Sequence, residues 1–193
     1  MGYLSGLQEY LDKAYHASIF DHAFESKKPW EFHVHTHRII KGKILENLTY
    51  DIKLGNELLP KTNVKLLYPE DLSKSVMPLM KLDKKIRGLS LEPIIAPKDR
   101  YHIKNKSLFP LMKEKKVVFF TLLEGEIFRG IIAGFGRYEI TVSVKEEIPI
   151  TVMRHSICDL RDKKGRCFLK SFQEEQRDWE KTSLFVSSAP DKP

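Results

Sequence analysis

"LLEGEIFRGIIAGFGRYEITV", residues 122–142, alternates apolar and polar side chains and interrupts the alternation with Gly125, Gly130, Gly134 and Gly136. Side chains two apart share one face of a strand, and β-branched residues suit the extended backbone. Glu124-Gly125-Glu126 reads as a tight turn, because glycine takes positive φ without penalty. Gly130 and Gly134 fall inside the strand pattern, where glycine permits a sharp bend. A bent strand lets five short strands curl into a small barrel that leaves few exposed edges. With "VVFFT" (117–121) before it and "IPITVMRHSICDL" (148–160) after it, the stretch predicts such a body.

The layout is written once before in the chain. Gly42 and Gly130 lie 88 residues apart, and at that offset Phe32 meets Phe120, Ile44 meets Ile132, Tyr50 meets Tyr138 and Ile52 meets Ile140. With no gap, Val64 then meets Val152, and Asp71-Leu72 meets Asp159-Leu160. Upstream, "FDHAFESKK" (20–28) lies over "LFPLMKEKK" (108–116), ending in a matched lysine pair. Both are helix-like, with apolar residues three or four apart: Phe20, Ala23 and Phe24, then Leu108, Leu111 and Met112. A common register over about fifty residues points to internal duplication.

Composition narrows the function classes. The chain has 193 residues, 41% hydrophobic and 31% charged, enough to bury a core. No apolar run is long enough to cross a bilayer, and the start "MGYLSGLQEYLDKAY" lacks a basic-then-apolar signal. Cys158 and Cys167 read as reduced, so a cytoplasmic location without a membrane partner is expected. The net charge of +7 is concentrated: residues 73–116 hold 12 Lys+Arg against 4 Asp+Glu. That stretch fits a polyanionic partner, and equally a solvated lysine-rich connector.

The helix followed by "LLEGEIFRGIIAGFGRYEITV" and "VMRHSI" resembles the Sm-like fold of the bacterial RNA chaperone Hfq, over roughly residues 105–160. Phe135-Gly136-Arg137-Tyr138 stands for the family's Phe-Asp-x-Phe-like element, and Arg154-His155 for its Lys-His pair. The resemblance implies a ring of Sm folds holding single-stranded, uridine-rich RNA near its pore. It places Arg137, Tyr138, Arg154 and His155 at the RNA site, and Lys113, Lys115 and Lys116 on a basic rim. Gly136 replaces the acidic residue of the element, so the hydrogen bonding there must differ. Thr121 and Ile127 replace the aromatic and lysine of the opposite, adenine-binding face, and no such site is expected. In the first copy Leu66-Leu67 fall at the basic-histidine pair, so that copy keeps Tyr50 but is expected to serve structurally.

"FHVHTH" (32–37) admits a different reading. His33 and His35 share a strand face and resemble the first motif of the polymerase-and-histidinol-phosphatase metallohydrolases. The remaining His16, His22, His102 and His155 lie in no Glu-His or Asp-x-His setting. The repeat puts Phe32 and Val34 on the apolar face, leaving His33, His35 and His37 on the other. A solvated face ranks first for them, RNA contact second and a catalytic metal third. Phosphate-cradling, Cys-x-x-Cys and nucleophile-elbow motifs are absent from the sequence.

These readings combine into a mainly β protein with short helices: two Sm-like, SH3-type, five-stranded bent barrels in tandem, each preceded by a helix. Residues 1–80 form a diverged first domain with its leading helix and 81–104 a basic connector. Residues 105–162 form the Hfq-like domain, and 163–193 a helix (168–181) with a mobile tail. The expected function is non-enzymatic RNA binding of the RNA-chaperone or riboregulator kind, without cofactor or metal. Three chains would complete a pseudo-six-fold ring. The alternatives are a metal-dependent phosphoesterase using His33, His35 and His37, and an assembly module that binds no RNA.

Overall fold

The computed structural model describes residues 4–92 and 103–169, the Glu146 side chain excepted. After α1 (Leu7–Ala14), the first half runs α2 (Ile19–Ser26), β1 (Trp30–Val34), β2 (Arg38–Gly42), β3 (Ile44–Asn47), β4 (Asp51–Leu54), β5 (Glu57–Pro60) and β6 (Val64–Pro69). A linking stretch carries α3 (Ser73–Val76), β7 (Lys81–Leu82) and α4 (Lys84–Gly88). The second half runs α5 (Asn105–Lys113), β8 (Val117–Leu122), β9 (Glu126–Phe135), β10 (Glu139–Ser143), β11 (Pro149–Met153) and β12 (Ile157–Asp162). The protein is thus mainly β, with short helices and open antiparallel sheets.

The strand order repeats. The second half reads β12-β8-β9-β10-β11, and the first reads β6-β1-β2 followed by β3-β4-β5 in a separate sheet. The two successions coincide once β2 and β3 are taken as one strand broken at Lys43. Gly130 lets β10 lie close against β9: a Cβ there would come within 2.5 Å of Ser143 O and Val142 Cγ1. Only a residue without a side chain lets β9 and β10 approach so closely. Around Gly42 nothing lies within 4 Å of the equivalent point, and there the sheet separates. The helices also match, since Lys27 and Lys115 both adopt left-handed backbone where α2 and α5 end (φ 53° and 49°). Ser18 starts α2 with a capping box: Asp21 N–H donates to Ser18 Oγ, and Ser18 N–H donates to Asp21 Oδ2. Such caps contribute about 1 kcal/mol.

The gapless register needs correction. Asp51 pairs with Pro60 across β4–β5, whereas Glu139 pairs with Met153 across β10–β11, so the second hairpin is five residues longer. Val64 therefore corresponds to Ile157 and not to Val152. The 3-10 turn Lys61–Asn63 corresponds to the turn Arg154–Ser156. Strand alternation constrains which face a residue takes, but not the length of a hairpin loop.

Each half has a core, and β6 belongs to both. Val64 and Leu67 pack with Phe20, Phe32 and Ile52, while Leu66 and Tyr68 pack with Phe120, Ile132 and Ile140. Met153 of β11 crosses into the first core. Backbone pairing of Thr151 with Leu67 and Val152 with Leu66 joins β11 to β6. Truncating Phe32 or Phe120, both fully buried, would cost about 3–5 kcal/mol.

The linking stretch is not a free connector. Lys81-Leu82 pair with Ile127 and Glu126, Asp83 N–H donates to Gly125 O at 2.7 Å, and Ile86 packs on Leu123 and Cys158. Gly125 serves twice, taking φ 91° and leaving room for Asp83 O, 2.6 Å from where its Cβ would sit. The first helix, α1, packs on the second half: Tyr10 OH donates to Phe135 O and accepts from Phe135 N–H. Residues 93–102, and the expected C-terminal helix beyond Leu169, lie outside the described residues. Arg166–Phe168 return along the outer edge of β12, where Phe168 N–H donates to Leu160 O.

Candidate nucleic-acid interface

Two corners of the fold each present a tyrosine, and both are built alike. In the second half Arg154 N–H donates to Tyr138 O at 2.8 Å, and its guanidinium donates to Gly136 O at 2.7 Å. In the first half Lys61 N–H donates to Tyr50 O at 2.9 Å, and its ammonium donates to Leu48 O at 2.6 Å. Gly136 and Leu48 hold the same place in the repeat, as do Tyr138 and Tyr50. Lys61-Thr62, rather than Leu66-Leu67, therefore occupies the basic-histidine position of the first copy. Both basic side chains hold the carbonyls of the loop that carries the tyrosine. Arg154 also donates to Asn105 Oδ1 at 2.9 Å and lies over the Phe135 ring, turned inward.

The acidic residue missing at Gly136 reappears at Glu139. A Cβ on Gly136 would meet Glu139 Oε1 at 2.4 Å, so the carboxylate occupies the space the glycine leaves. Burial pushes the Glu139 pKa up, against backbone hydrogen bonds from Tyr138 and Ile19 that lower it. Glu139 thereby ties the tyrosine corner to the start of α2. The sequence shows only that Gly136 carries no acid; the close approach of the two residues shows the Glu139 carboxylate in that space.

Between the corners lies a cavity of about 950 Å³. The first half lines it with Tyr50, Asp51, Lys61 and Thr62, and the second with Arg137, Tyr138, Glu139 and His155. Tyr15, His16, Ala17 and Ser18, which link α1 to α2, complete the wall. Tyr50 is 79% exposed and Tyr138 53%, unusual for rings not needed elsewhere in the core. Arg137 lies over the Tyr15 ring at 5.3 Å. His155 is 7% exposed and its Nε2–H donates to Val64 O at 3.0 Å, so it bridges the two halves. Of the four expected RNA-contacting residues, Arg137, Tyr138 and His155 line the cavity, while Arg154 stands behind it. Lys113, Lys115 and Lys116 are exposed at the end of α5; Lys113 lies over Phe109 and Lys116 pairs with Glu114. None of the three is among the cavity-lining residues.

The histidine row is not the solvated face the alternation implies. His33 and His35 are each 6% exposed, and all five residues of β1 are buried. His33 Nε2 contacts Glu31 Oε1 at 2.9 Å and the Tyr68 hydroxyl at 2.8 Å. Burial pushes the Glu31 carboxyl up, but Lys41, Ser73, Tyr68 and His33 together hold it down to about 2. Burial lowers the pKa of both His33 and His35. Periodicity correctly separated this face from Phe32 and Val34, but could not tell what covers it. The cover includes Tyr68 and Lys65 of β6, the latter paired with Glu124 and Glu126.

Cys158 is buried and Cys167 half-buried, and neither is in a disulfide. Burial raises the pKa of each, Cys167 to about 11, so neither is an activated nucleophile. Trp30 is core, its indole N–H donating to Ser26 Oγ, and Trp179 lies outside the described residues. Among the described residues no helix is long and apolar enough to cross a membrane. Comparison of the chain with protein-family models, curated proteins and solved structures gives no significant match.

Proposed function

We propose that the chain is a non-enzymatic, cytoplasmic RNA-binding protein of the Hfq and Sm-like type, with two Sm-like barrels in tandem. Single-stranded, uridine-rich RNA enters the cavity between the halves, and a chaperone or riboregulatory role follows from holding it unpaired. The observation that carries this reading is the pair of equivalent, exposed tyrosines flanking one cavity that also holds Arg137 and His155. Each ring offers a stacking face to a base, worth about 1–3 kcal/mol per base. Arg137 supplies a phosphate or stacking partner. His155 lines the same cavity, where its ring can meet a base or sugar oxygen. The Lys113, Lys115 and Lys116 cluster then serves as a sequence-independent landing surface.

The repeated strand order supports the ring. Within one chain β11 of the second half already pairs with β6 of the first, leaving β5 as an edge strand with Leu58 exposed. An edge in that state takes up another strand, and three chains would complete six folds. The return of Arg166–Phe168 along β12 must then move aside. That same open edge favours the assembly-module alternative, in which the ring forms and RNA does not bind. The test is fluorescence anisotropy with labelled oligo-uridine, oligo-adenine and duplex RNA at several salt concentrations, alongside native mass spectrometry. The proposal expects oligo-uridine to bind tightest, with affinity lost when Tyr50 and Tyr138 become alanine. Equal, weak binding of all three RNAs by a stable oligomer would instead establish the assembly module.

A further inference from the structure

The tips of the two repeated hairpins meet, and their chemistry is unlike anything at the tyrosine corners. Thr36 and His37 turn the first hairpin with positive φ (66° and 55°), a strained choice for residues with side chains. Their N–H groups donate to the Glu124 carboxylate of the second hairpin, at 2.6 and 3.1 Å. Lys65, 1% exposed, pairs with both Glu124 and Glu126. The ligand atoms of His37, Glu124 and Glu126 all lie within 4.8 Å of one another.

Two further observations concern atoms without partners. His35 is 6% exposed, and neither of its ring nitrogens has a hydrogen-bond partner. It lies within electrostatic reach of Glu124, Glu126 and Lys65. Glu126 Oε2 is also buried and unpartnered. Buried polar groups are rarely left unpaired, so unpaired atoms beside a cluster of donors point to a ligand. His37 Nδ1 stands 3.5 Å from Glu124 Oε2. Metal–ligand bonds of about 2.0–2.2 Å set tetrahedral donors at a spacing close to that.

We propose that His37, Glu124 and Glu126, with the buried His35 beside them, form a binding site for one divalent transition-metal ion of the zinc class, placed at the seam between the hairpins. Imidazole and carboxylate are the donors such an ion prefers. The Lys65 ammonium now supplies the positive charge between the carboxylates, and the metal competes with it. The ion fixes the hairpins to each other, as Glu124 already does through two backbone N–H groups. Its role is structural: the donors sit on two hairpin tips that are already tied through Glu124.

The experiment uses the full chain stripped with chelator and dialysed, then titrated with zinc by calorimetry and with cobalt by visible absorption. One ion per chain is expected, with the cobalt spectrum of a tetrahedral site. His37→Ala, at an exposed turn, and Glu126→Gln should each weaken zinc binding by roughly 10- to 100-fold while circular dichroism stays native. Absence of zinc binding by the wild-type chain overturns the proposal. So does binding that both variants leave unchanged, which would place the ion on other histidines. Neither outcome touches the RNA reading, which is scored separately by anisotropy on the metal-free chain.

Discussion

The two halves agree at the corners that carry Tyr50 and Tyr138 and disagree at the hairpin tips. At the corners a basic residue holds the loop carbonyls in both copies, though lysine in one has become arginine in the other. At the tips, Thr36-His37 in one copy faces Glu124-Gly125 in the other, and the two interlock instead of repeating. Equivalent places at the corners share one geometry although their residues differ. Places that touch across the seam carry complementary groups, which identical halves could not.

The strongest way to break the comparison is to test whether the corners are equally held. Arg154→Ala should destabilise the chain by about 2–3 kcal/mol, since it leaves Gly136 O and Asn105 without a charged donor. Lys61→Ala, at a partly solvated position, should cost under about 1 kcal/mol. Urea melts that give equal costs would show the two clamps to be interchangeable. Gly130→Ala comes next, at about 1–3 kcal/mol, because its Cβ meets Ser143 O and Val142 Cγ1 at 2.5 Å.

The tyrosines sharpen the comparison functionally. Tyr50→Ala and Tyr138→Ala should each cost about 1–3 kcal/mol of oligo-uridine affinity. Loss with Tyr138 alone would make the first half a scaffold. A smaller effect separates the faces by pH. His33 and His35 have folded pKa values below their usual one, so the unfolded chain binds more protons. Their contribution is present above the unfolded value of about 6.5 and is lost as pH falls through it toward the folded values. Thermal melts should therefore show a lower midpoint at pH 5.5 than at pH 7.5, and His35→Gln should flatten that slope. Smallest is the rim: replacing Lys113, Lys115 and Lys116 with glutamine should weaken all RNAs alike and reduce the salt slope by about 2, at roughly 0.7 per phosphate.

Much of the fold was legible because it is local. Alternation placed β8 to β12, Gly125 its turn, and three-to-four spacing both helices. Arg137 and Tyr138 could be named because they are neighbours in a motif. What stayed hidden depends on contacts between distant segments. The longer β10–β11 hairpin shifted the correspondence from Leu66-Leu67 to Lys61-Thr62, and no periodicity marks a loop's length. Glu139 filling the space beside Gly136 is visible only in three dimensions. The burial of His33 and His35 depends on Tyr68 and Lys65, thirty or more residues further on. α1 precedes the first half in the chain yet packs on the second, which no local pattern announces.

Covalent fusion changes what dilution can do to this molecule. In an assembly of separate subunits, the cleft at each junction vanishes when the subunits part. Here β6 and β11 are tethered on one polypeptide, so their encounter is intramolecular and its effective concentration is set by the linker. A solitary chain at nanomolar abundance therefore keeps the cavity between its halves intact, however few companions surround it.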